Sequence, residues 1–234
     1  MEKWQKLLTF AWEKWIFYVY RMMKLIILDF DGTLADTREL IVLTMQQTIQ
    51  ELGLEARTDE QCAGMIGLPL KEAFTTLIPM TDEMGARCAE TYRQIFNENN
   101  AVYTVPAFPN VIDTLRGLSE KGYVLTIASS RSHRSLVEFI ETMELQEILT
   151  FVLGADDVAQ AKPHPEPVLR TLEKFGCQAA EALVVGDTAY DIEMGRRAGV
   201  KTCGVTYGNG TRAELAREGA DYVIDDFSEL LDIL

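Results

Sequence analysis

Six short apolar runs, separated by segments with helical periodicity, constrain the fold of this 234-residue chain more than any other feature. The first run, residues 24–29, is rich in isoleucine and leucine and ends at an Asp-Gly turn signal, so it predicts a short buried strand. Strands that alternate with helices of about 10 to 15 residues are typical of βαβ units. The pattern therefore predicts an α/β fold with a doubly wound, Rossmann-like parallel sheet. The later runs lie at residues 123–128, 151–154, 182–186, 202–205 and 222–224.

The interval 37–105 interrupts this alternation. It contains helical patterns at 38–52, 69–78 and 81–97 but no convincing strand. Helix-capping residues precede it, and a proline-stiffened segment beginning at Val105 follows it. We therefore expect an all-helical domain at 37–105, inserted into an α/β core made of residues 24–36 and 106–234.

Composition excludes several classes of protein. The 22 basic and 36 acidic residues give a net charge of −14, so most of the surface would repel a phosphate backbone and nucleic acid is not an expected partner. Four widely spaced cysteines form no zinc or disulfide pattern and predict reduced thiols in the cytoplasm. No apolar stretch reaches the roughly 18 residues that a membrane span requires.

The first segment, residues 1–23, differs from the rest of the chain. It holds all three tryptophans, and its apolar residues recur at helical spacing opposite a basic face, which predicts an amphipathic helix. Three interpretations remain open: a helix that contacts a membrane surface or a partner, a helix packed on the domain, or non-native sequence upstream of a start at Met22 or Met23. The last is preferred, because the first strand follows immediately.

Four carboxylates follow predicted strands. Asp29 and Asp31 follow the first strand, and Asp187 and Asp191 follow the strand at 182–186. Each could belong to an ordinary turn or helix cap. If the strand ends meet at one sheet edge, however, such like charges need a positive partner, and a hard divalent cation, Mg²⁺ above all, satisfies oxygen ligands.

Hydroxyl and ammonium groups occupy other predicted loops. Ser129 and Ser130 follow the strand at 123–128, and Lys162 precedes a proline-rich helix start. Serine there often only caps a helix, and a single lysine is usually solvated. Beside a metal ion, the same groups suit a tetrahedral dianion and indicate phosphoryl chemistry on a phosphate ester. Arg38 and Arg131 could each contact an anionic substrate, but exposed arginines beside acidic helices usually form weak surface pairs, so neither is counted among the candidate site residues.

Four ordered motifs resemble those of the haloacid dehalogenase superfamily of aspartate-nucleophile phosphatases. They are DFDGT from Asp29, the hydroxyl of Ser129, Lys162 in KPHPEP, and GDTAYD ending at Asp191. The resemblance covers about residues 24–234, and DFDGTLADT with a helical insertion is similar to the phosphoglycolate phosphatase-like branch. It implies that the insertion is a cap domain, and that the turn at 64–70 lies over the active site or merely connects two helices.

The resemblance also implies a role for each candidate residue. Asp29 would attack phosphorus to form an aspartyl-phosphate, and Asp31 would protonate the leaving alcohol and then activate water. Lys162 would steady the charge on Asp29 and the phosphoryl group. The remaining roles are phosphate binding by Ser129 and Ser130 together with Lys162, Mg²⁺ binding by Asp29, Asp187 and the Asp31 carbonyl, and orientation of the lysine or of metal-bound water by Asp191.

The expected function is therefore hydrolysis of a small phosphorylated metabolite, with phosphoglycolate, pyrophosphate, a sugar phosphate or a nucleotide as open substrates. A β-phosphoglucomutase-like mutase is the main alternative. A phospho-receiver or binding module fits poorly, because it would not need a helical insertion. A serine hydrolase, a P-loop enzyme and a dinucleotide-binding enzyme each lack their motif.

Overall fold

The computed structural model describes residues 24–234, and the predicted amphipathic helix at 1–23 lies outside the described residues. Its centre is a six-stranded sheet in which every neighbouring pair of strands is parallel. The strand order β3-β2-β1-β4-β5-β6 confirms the predicted doubly wound α/β fold. The strands are β1 (Leu25–Leu28), β2 (Val124–Ala128), β3 (Leu149–Leu153), β4 (Ala182–Gly186), β5 (Lys201–Val205) and β6 (Tyr222–Ile224).

Helices join the strands and cover the sheet, and they differ from the predicted ranges mainly by one to three residues at their ends. The helices are α1 (Arg38–Glu51), α2 (Asp59–Ala63), α3 (Leu70–Leu77), α4 (Asp82–Asn100), α5 (Val111–Glu120), α6 (His133–Thr142), α7 (Glu166–Phe175), α8 (Ala189–Ala198), α9 (Arg212–Glu218) and α10 (Leu230–Ile233), with 3-10 turns at Ala179–Glu181 and Phe227–Glu229.

The central strand β1 determines where a site can form. All four of its residues are buried, as expected for a strand with neighbours on both edges and helices on both faces. Leu28 at its carboxyl end is in register with Ile127 of β2 on one side and with Val185 of β4 on the other. The strand order reverses at this point, and the loops after β1, β2 and β4 open into the same crevice.

Residues 38–100 form helices α1 to α4, and within this interval the structure contains no strand. Three of these helices correspond to predicted patterns, whereas the five-residue helix α2 was not predicted. The sequence feature that marks this helix is its N-terminal cap. Thr58 and Gln61 form a reciprocal capping box, in which each side chain accepts a hydrogen bond from the other residue's backbone N–H. Such a short helix has too few residues for a periodic apolar pattern to develop.

The two links between the helical insertion and the sheet lie side by side. Ala35 forms an antiparallel bridge with Ala107. The Asp36 N–H donates to the Pro106 carbonyl, and the Phe108 N–H donates to the Leu34 carbonyl, each at 3.0 Å. The chain therefore leaves and re-enters the core at one place.

Aromatic side chains join the insertion to the core. The ring of Phe96 on α4 lies edge-on to Phe139 on α6, with centroids 6.4 Å apart, and Phe139 lies 5.5 Å from Phe30 in the loop after β1. All three side chains are buried in one continuous hydrophobic cluster. The contact between the two parts of the chain is thus apolar and adjacent to the end of β1.

Two further sequence predictions have outcomes in the structure. Among residues 24–234, no helix is both long and apolar enough to cross a membrane. The four cysteines are free thiols in the structure; they are Cys62, Cys88, Cys177 and Cys203.

Candidate active site

Three carboxylates meet at the carboxyl ends of β1 and β4. Asp29 directly follows β1, Asp187 directly follows β4, and Asp191 lies in the first turn of α8. One carboxylate oxygen of each lies within 4.8 Å of the others, and all three residues are buried. The fold therefore brings together side chains that are up to 162 positions apart in the sequence.

Lys162 is the cation of this cluster. It comes from the loop between β3 and α7, is only 2% exposed, and donates from Nζ both to Asp29 and, at 2.6 Å, to Asp191 Oδ1. The other oxygen of Asp191 accepts hydrogen bonds from the backbone N–H of Thr188, at 3.0 Å, and from its hydroxyl, at 2.7 Å. Asp191 thus orients the lysine and also caps helix α8.

Burial and crowding shift the pKa values of the cluster. Burial, reinforced by the Asp191 charge and opposed by hydrogen bonds from Asn209, raises the pKa of Asp187 to about 7. Burial raises the pKa of Asp29 well above its usual value despite the opposing charge of Lys162. For Lys162, burial alone would lower the pKa, but Asp191 and Asp29 outweigh it and the pKa rises. The positive charge of Lys162 is therefore not enough to stabilise Asp29 and Asp187 in their ionised forms.

Asp187 is held in place by its surroundings. Its Oδ2 accepts hydrogen bonds from the backbone N–H and the side-chain amide of Asn209, at 2.7 and 2.9 Å, and its Oδ1 accepts one from the Thr33 hydroxyl at 3.2 Å. Asn209, from the loop after β5, was not predicted from the sequence. Gly32 has a φ of +88°, and a Cβ there would lie 2.2 Å from Asp187 Oδ2, so glycine allows both the turn and the close approach.

The arrangement of these side chains fits a divalent cation. Lys162 forms ion pairs with two of the three buried carboxylates, those of Asp29 and Asp191, and oxygen ligands of this kind suit a hard ion such as Mg²⁺. The cluster contains Asp29 and Asp187, as predicted for the metal ligands, and also Asp191, which was predicted to lie behind them. The Asp31 side chain lies elsewhere, and its predicted contribution through the backbone carbonyl stays a prediction.

Both oxygens of Asp31 accept hydrogen bonds from Arg131, which lies in the loop after β2. Nε donates to Oδ2 at 3.1 Å, and Nη2 donates to Oδ1. The Arg131 side chain is only 8% exposed, so the expectation of an exposed arginine in a weak surface pair was wrong for this residue. The expectation of an exposed arginine describes Arg38 better, because Arg38 donates to the side-chain oxygen of Asn209 at 3.2 Å in an exposed contact.

The two predicted phosphate-binding serines line the same cavity as Asp29, but they have different hydrogen-bond partners. Ser129 is buried, and its hydroxyl accepts a hydrogen bond from the Arg131 backbone N–H at 3.3 Å. Ser130 donates from its hydroxyl to the carbonyl of Gly67 at 2.6 Å. Gly67 belongs to the turn at 64–70 in the insertion. The turn therefore lies at the edge of the site, in direct contact with Ser130 from the loop after β2.

A cavity of about 640 Å³ lies between the sheet edge and the insertion. Asp29, Asp31, Ser129, Ser130 and Arg131 contribute to its core side. Helices α1, α3 and α4 and the turn at 64–70 supply the opposite wall. The candidate nucleophile and acid thus face a space that both parts of the chain enclose, large enough for a small organic molecule.

The sequence matches the haloacid dehalogenase-like hydrolase family over residues 26–205, which is most of the chain and includes every site residue predicted from the sequence. The chain belongs to this family. Its recognition from four sequence motifs is thereby confirmed, as is the reaction class, because the relatives of this hydrolase include proteins named as phosphatases.

Two such relatives cover almost the whole chain. One is a phosphoglycolate phosphatase of Aquifex aeolicus, with 32% identity over 91% of this chain and 97% of the relative. The other is the pyrophosphatase PpaX of Anoxybacillus flavithermus, with 35% identity over 89% of this chain and 95% of the relative. Among solved structures, a haloacid dehalogenase-like hydrolase from Bacteroides fragilis matches with a TM-score of 0.80 and 28% identity, over 88% of this chain and 99% of that one.

Proposed function

We propose that this hydrolase is a Mg²⁺-dependent phosphatase that cleaves small phosphate monoesters through an aspartyl-phosphate on Asp29. The observation that carries the proposal is the position of Asp29: it is buried, contacts Lys162, and lines a cavity that also contains Asp31. A nucleophilic carboxylate needs an open approach for the phosphorus atom and a cation that compensates charge during attack. Asp29 has both.

In the first half-reaction, a carboxylate oxygen of Asp29 attacks phosphorus, and the bond between phosphorus and the ester oxygen breaks. Asp31 donates a proton to the departing oxygen, so the product leaves as an alcohol. Lys162 stays close to Asp29 and compensates charge on the carboxylate and on the phosphoryl oxygens.

In the second half-reaction, Asp31 accepts a proton from a water molecule that attacks the phosphorus of the aspartyl-phosphate. Asp29 leaves as a carboxylate, and inorganic phosphate is released. The same Asp31 thereby acts as acid and then as base, which regenerates the starting enzyme. Ser129 and Ser130 are proposed to bind the phosphoryl oxygens, although Ser130 must first exchange its hydrogen bond to Gly67.

The proposed metal ligands are the Asp29 and Asp187 carboxylates and the Asp31 carbonyl. When bound, Mg²⁺ would neutralise negative charge on the nucleophile and on the phosphoryl group. Asp191 holds Lys162 at the cluster.

Residues 37–105 are proposed to act as a cap domain that excludes water from the cavity. The proposed location of the protein is the cytoplasm, which the four unpaired thiols favour.

Phosphate release from p-nitrophenyl phosphate tests this proposal directly. We expect hydrolysis with MgCl₂ and loss of at least about 100-fold after EDTA treatment, because removing the cation leaves crowded carboxylates facing a dianionic substrate. Restoring Mg²⁺ should restore the rate, and KCl added to the same ionic strength as the MgCl₂ serves as the control. Hydrolysis at equal rates with and without the divalent ion would contradict the metal assignment.

Mg²⁺ binding is expected to depend steeply on pH. The pKa of Asp187 is raised to about 7 in the folded protein, so the metal-free fold binds more protons than the unfolded chain between roughly pH 4 and 7 and loses stability as pH rises through that window. Mg²⁺ must displace those protons. Its apparent affinity, measured by calorimetry, should be about 30-fold weaker at pH 5.5 than at pH 8. Equal affinities would show that no carboxyl with a raised pKa takes part.

A further inference from the structure

The pairing of Arg131 with Asp31 conflicts with the role proposed for Asp31. Both carboxylate oxygens accept hydrogen bonds from one guanidinium. A carboxyl that donates a proton to the leaving oxygen needs an oxygen that no other donor occupies. At least one contact between the two side chains must therefore break before the ester bond can be cleaved.

The guanidinium is the less movable partner of this pair. Its central carbon lies 4.8 Å from the ring centroids of both Phe96 and Phe139, and Nη1 donates to the Ser135 hydroxyl at 3.0 Å. The two rings therefore pack against the guanidinium plane and Ser135 fixes Nη1, whereas the edge that carries Nε and Nη2 points to Asp31. Asp31 has a short side chain in the cavity wall, so it can rotate away if another acceptor takes its place.

A second oxyanion is the acceptor that suits this edge. Nε and Nη2 form a planar fork that binds carboxylates and phosphates through two parallel hydrogen bonds. Arg131 lines the same cavity as Asp29, so one substrate can approach both. Because the guanidinium is largely buried, a neutral group in place of Asp31 would leave a buried positive charge uncompensated, which is costly.

The other cations of the cavity are less suited to this role. Lys71 pairs with Asp82, Arg93 with Glu90, and Arg134 with Glu138; in each pair both side chains are at least 46% exposed. Water screens such pairs, and they contribute little to recognition. Among these four cations, Arg131 is the one for which loss of its partner would have the largest energetic effect.

We propose that Arg131 is a specificity-determining residue that selects phosphate esters with a second oxyanion, a carboxylate or a phosphate, on the leaving group. This oxyanion accepts the hydrogen bonds from Nε and Nη2 of Arg131 in place of Asp31, and Asp31 is then free to act as the acid. Esters with neutral leaving groups leave Asp31 held by Arg131 and react slowly. The inference rests on the proposed phosphatase function. Phosphoglycolate, in the name of one relative, is such an ester, and pyrophosphate, the substrate class in the name of another, is an anhydride whose leaving group likewise carries a second oxyanion.

Matched pairs of esters test the proposal. The probes are 2-phosphoglycolate and 3-phosphopropionate, each compared with its own amide, which has nearly the same shape but no negative charge on the leaving group. For at least one pair, wild-type enzyme should show a kcat/KM about tenfold or more higher for the acid. In Arg131→Met, where methionine can still pack between the two phenylalanines, the ratio should fall below about 2, and kcat/KM for the amide should not decrease.

Two further variants separate specificity from a structural effect. Arg131→Lys keeps the charge without the fork, so its ratio should lie between those of wild type and Arg131→Met. Arg134→Met removes a neighbouring cavity arginine that pairs with Glu138, and it should keep the wild-type ratio. Thermal unfolding of each variant identifies any that fail to fold.

The outcomes distinguish the proposal from its premise. An equal loss for acid and amide in Arg131→Met would overturn the proposal, and so would the absence of a wild-type preference in both pairs. If the enzyme hydrolyses p-nitrophenyl phosphate with Mg²⁺ but shows no such preference, only the role of Arg131 is wrong. If it hydrolyses no ester at all, the proposed phosphatase function itself fails.

Discussion

Asp29→Asn is expected to lower phosphate release by at least about 10⁴-fold, the scale seen when the nucleophile of a covalent mechanism is removed. Asparagine has the same shape and can still accept a hydrogen bond from Lys162, so the fold should persist while the attacking oxygen is lost. Labelled phosphate trapped by acid quenching should form a hydroxylamine-sensitive adduct with wild type and none with the variant. This measurement detects the intermediate as well as the rate.

Asp36→Asn is the matched control, because it makes the same change at an exposed carboxylate a few residues further along the same loop. It should keep the wild-type rate and the trapped adduct. Hydrolysis by Asp29→Asn at more than about 1% of the wild-type rate, far above the expected residual level, would exclude Asp29 as the nucleophile.

Lys162→Met is expected to lower the free energy of unfolding by about 3 to 5 kcal/mol in metal-free buffer, because it leaves buried carboxylates without their cation. The lysine contacts Asp29 and Asp191, and all three side chains are nearly inaccessible to solvent. Urea unfolding measures the change. Added Mg²⁺ should restore part of the loss, since a divalent cation supplies the missing positive charge.

Lys201→Met provides the comparison at the surface. Lys201 also pairs with an aspartate, Asp221, but its side chain is 52% exposed, so water screens the pair and its loss should destabilise the fold far less than the loss of Lys162. Equal destabilisation by the two substitutions would mean that burial does not set the energy of the Lys162 pairs.

The sheet could be predicted because its strands are buried on both faces, which produces short apolar runs that turn signals end. β1 and β4 follow this rule closely, and their carboxyl ends carry Asp29 and Asp187. The strand at 151–154 was placed less well: β3 begins two residues earlier, at Leu149, because exposed Thr150 interrupts the apolar pattern at the edge of the sheet.

The site was predicted in part. Strand-end residues could be found because parallel strands bring their carboxyl ends together whatever the distance in sequence. Arg131 could not be assigned in this way, because its burial depends on Phe96, which belongs to the insertion and reaches the core only in three dimensions. Asn209 was missed for a similar reason, since nothing in its local sequence indicates that it contacts Asp187.

The adjacent links at Ala35 and Ala107 have a consequence for engineering. A segment whose two ends lie next to each other can be replaced by a segment of different length without changing the spacing that the core must span. Grafts at this junction would let a designer exchange the wall that faces the leaving group while keeping the phosphoryl-transfer machinery. Recognition and chemistry could then be evolved in separate libraries and recombined.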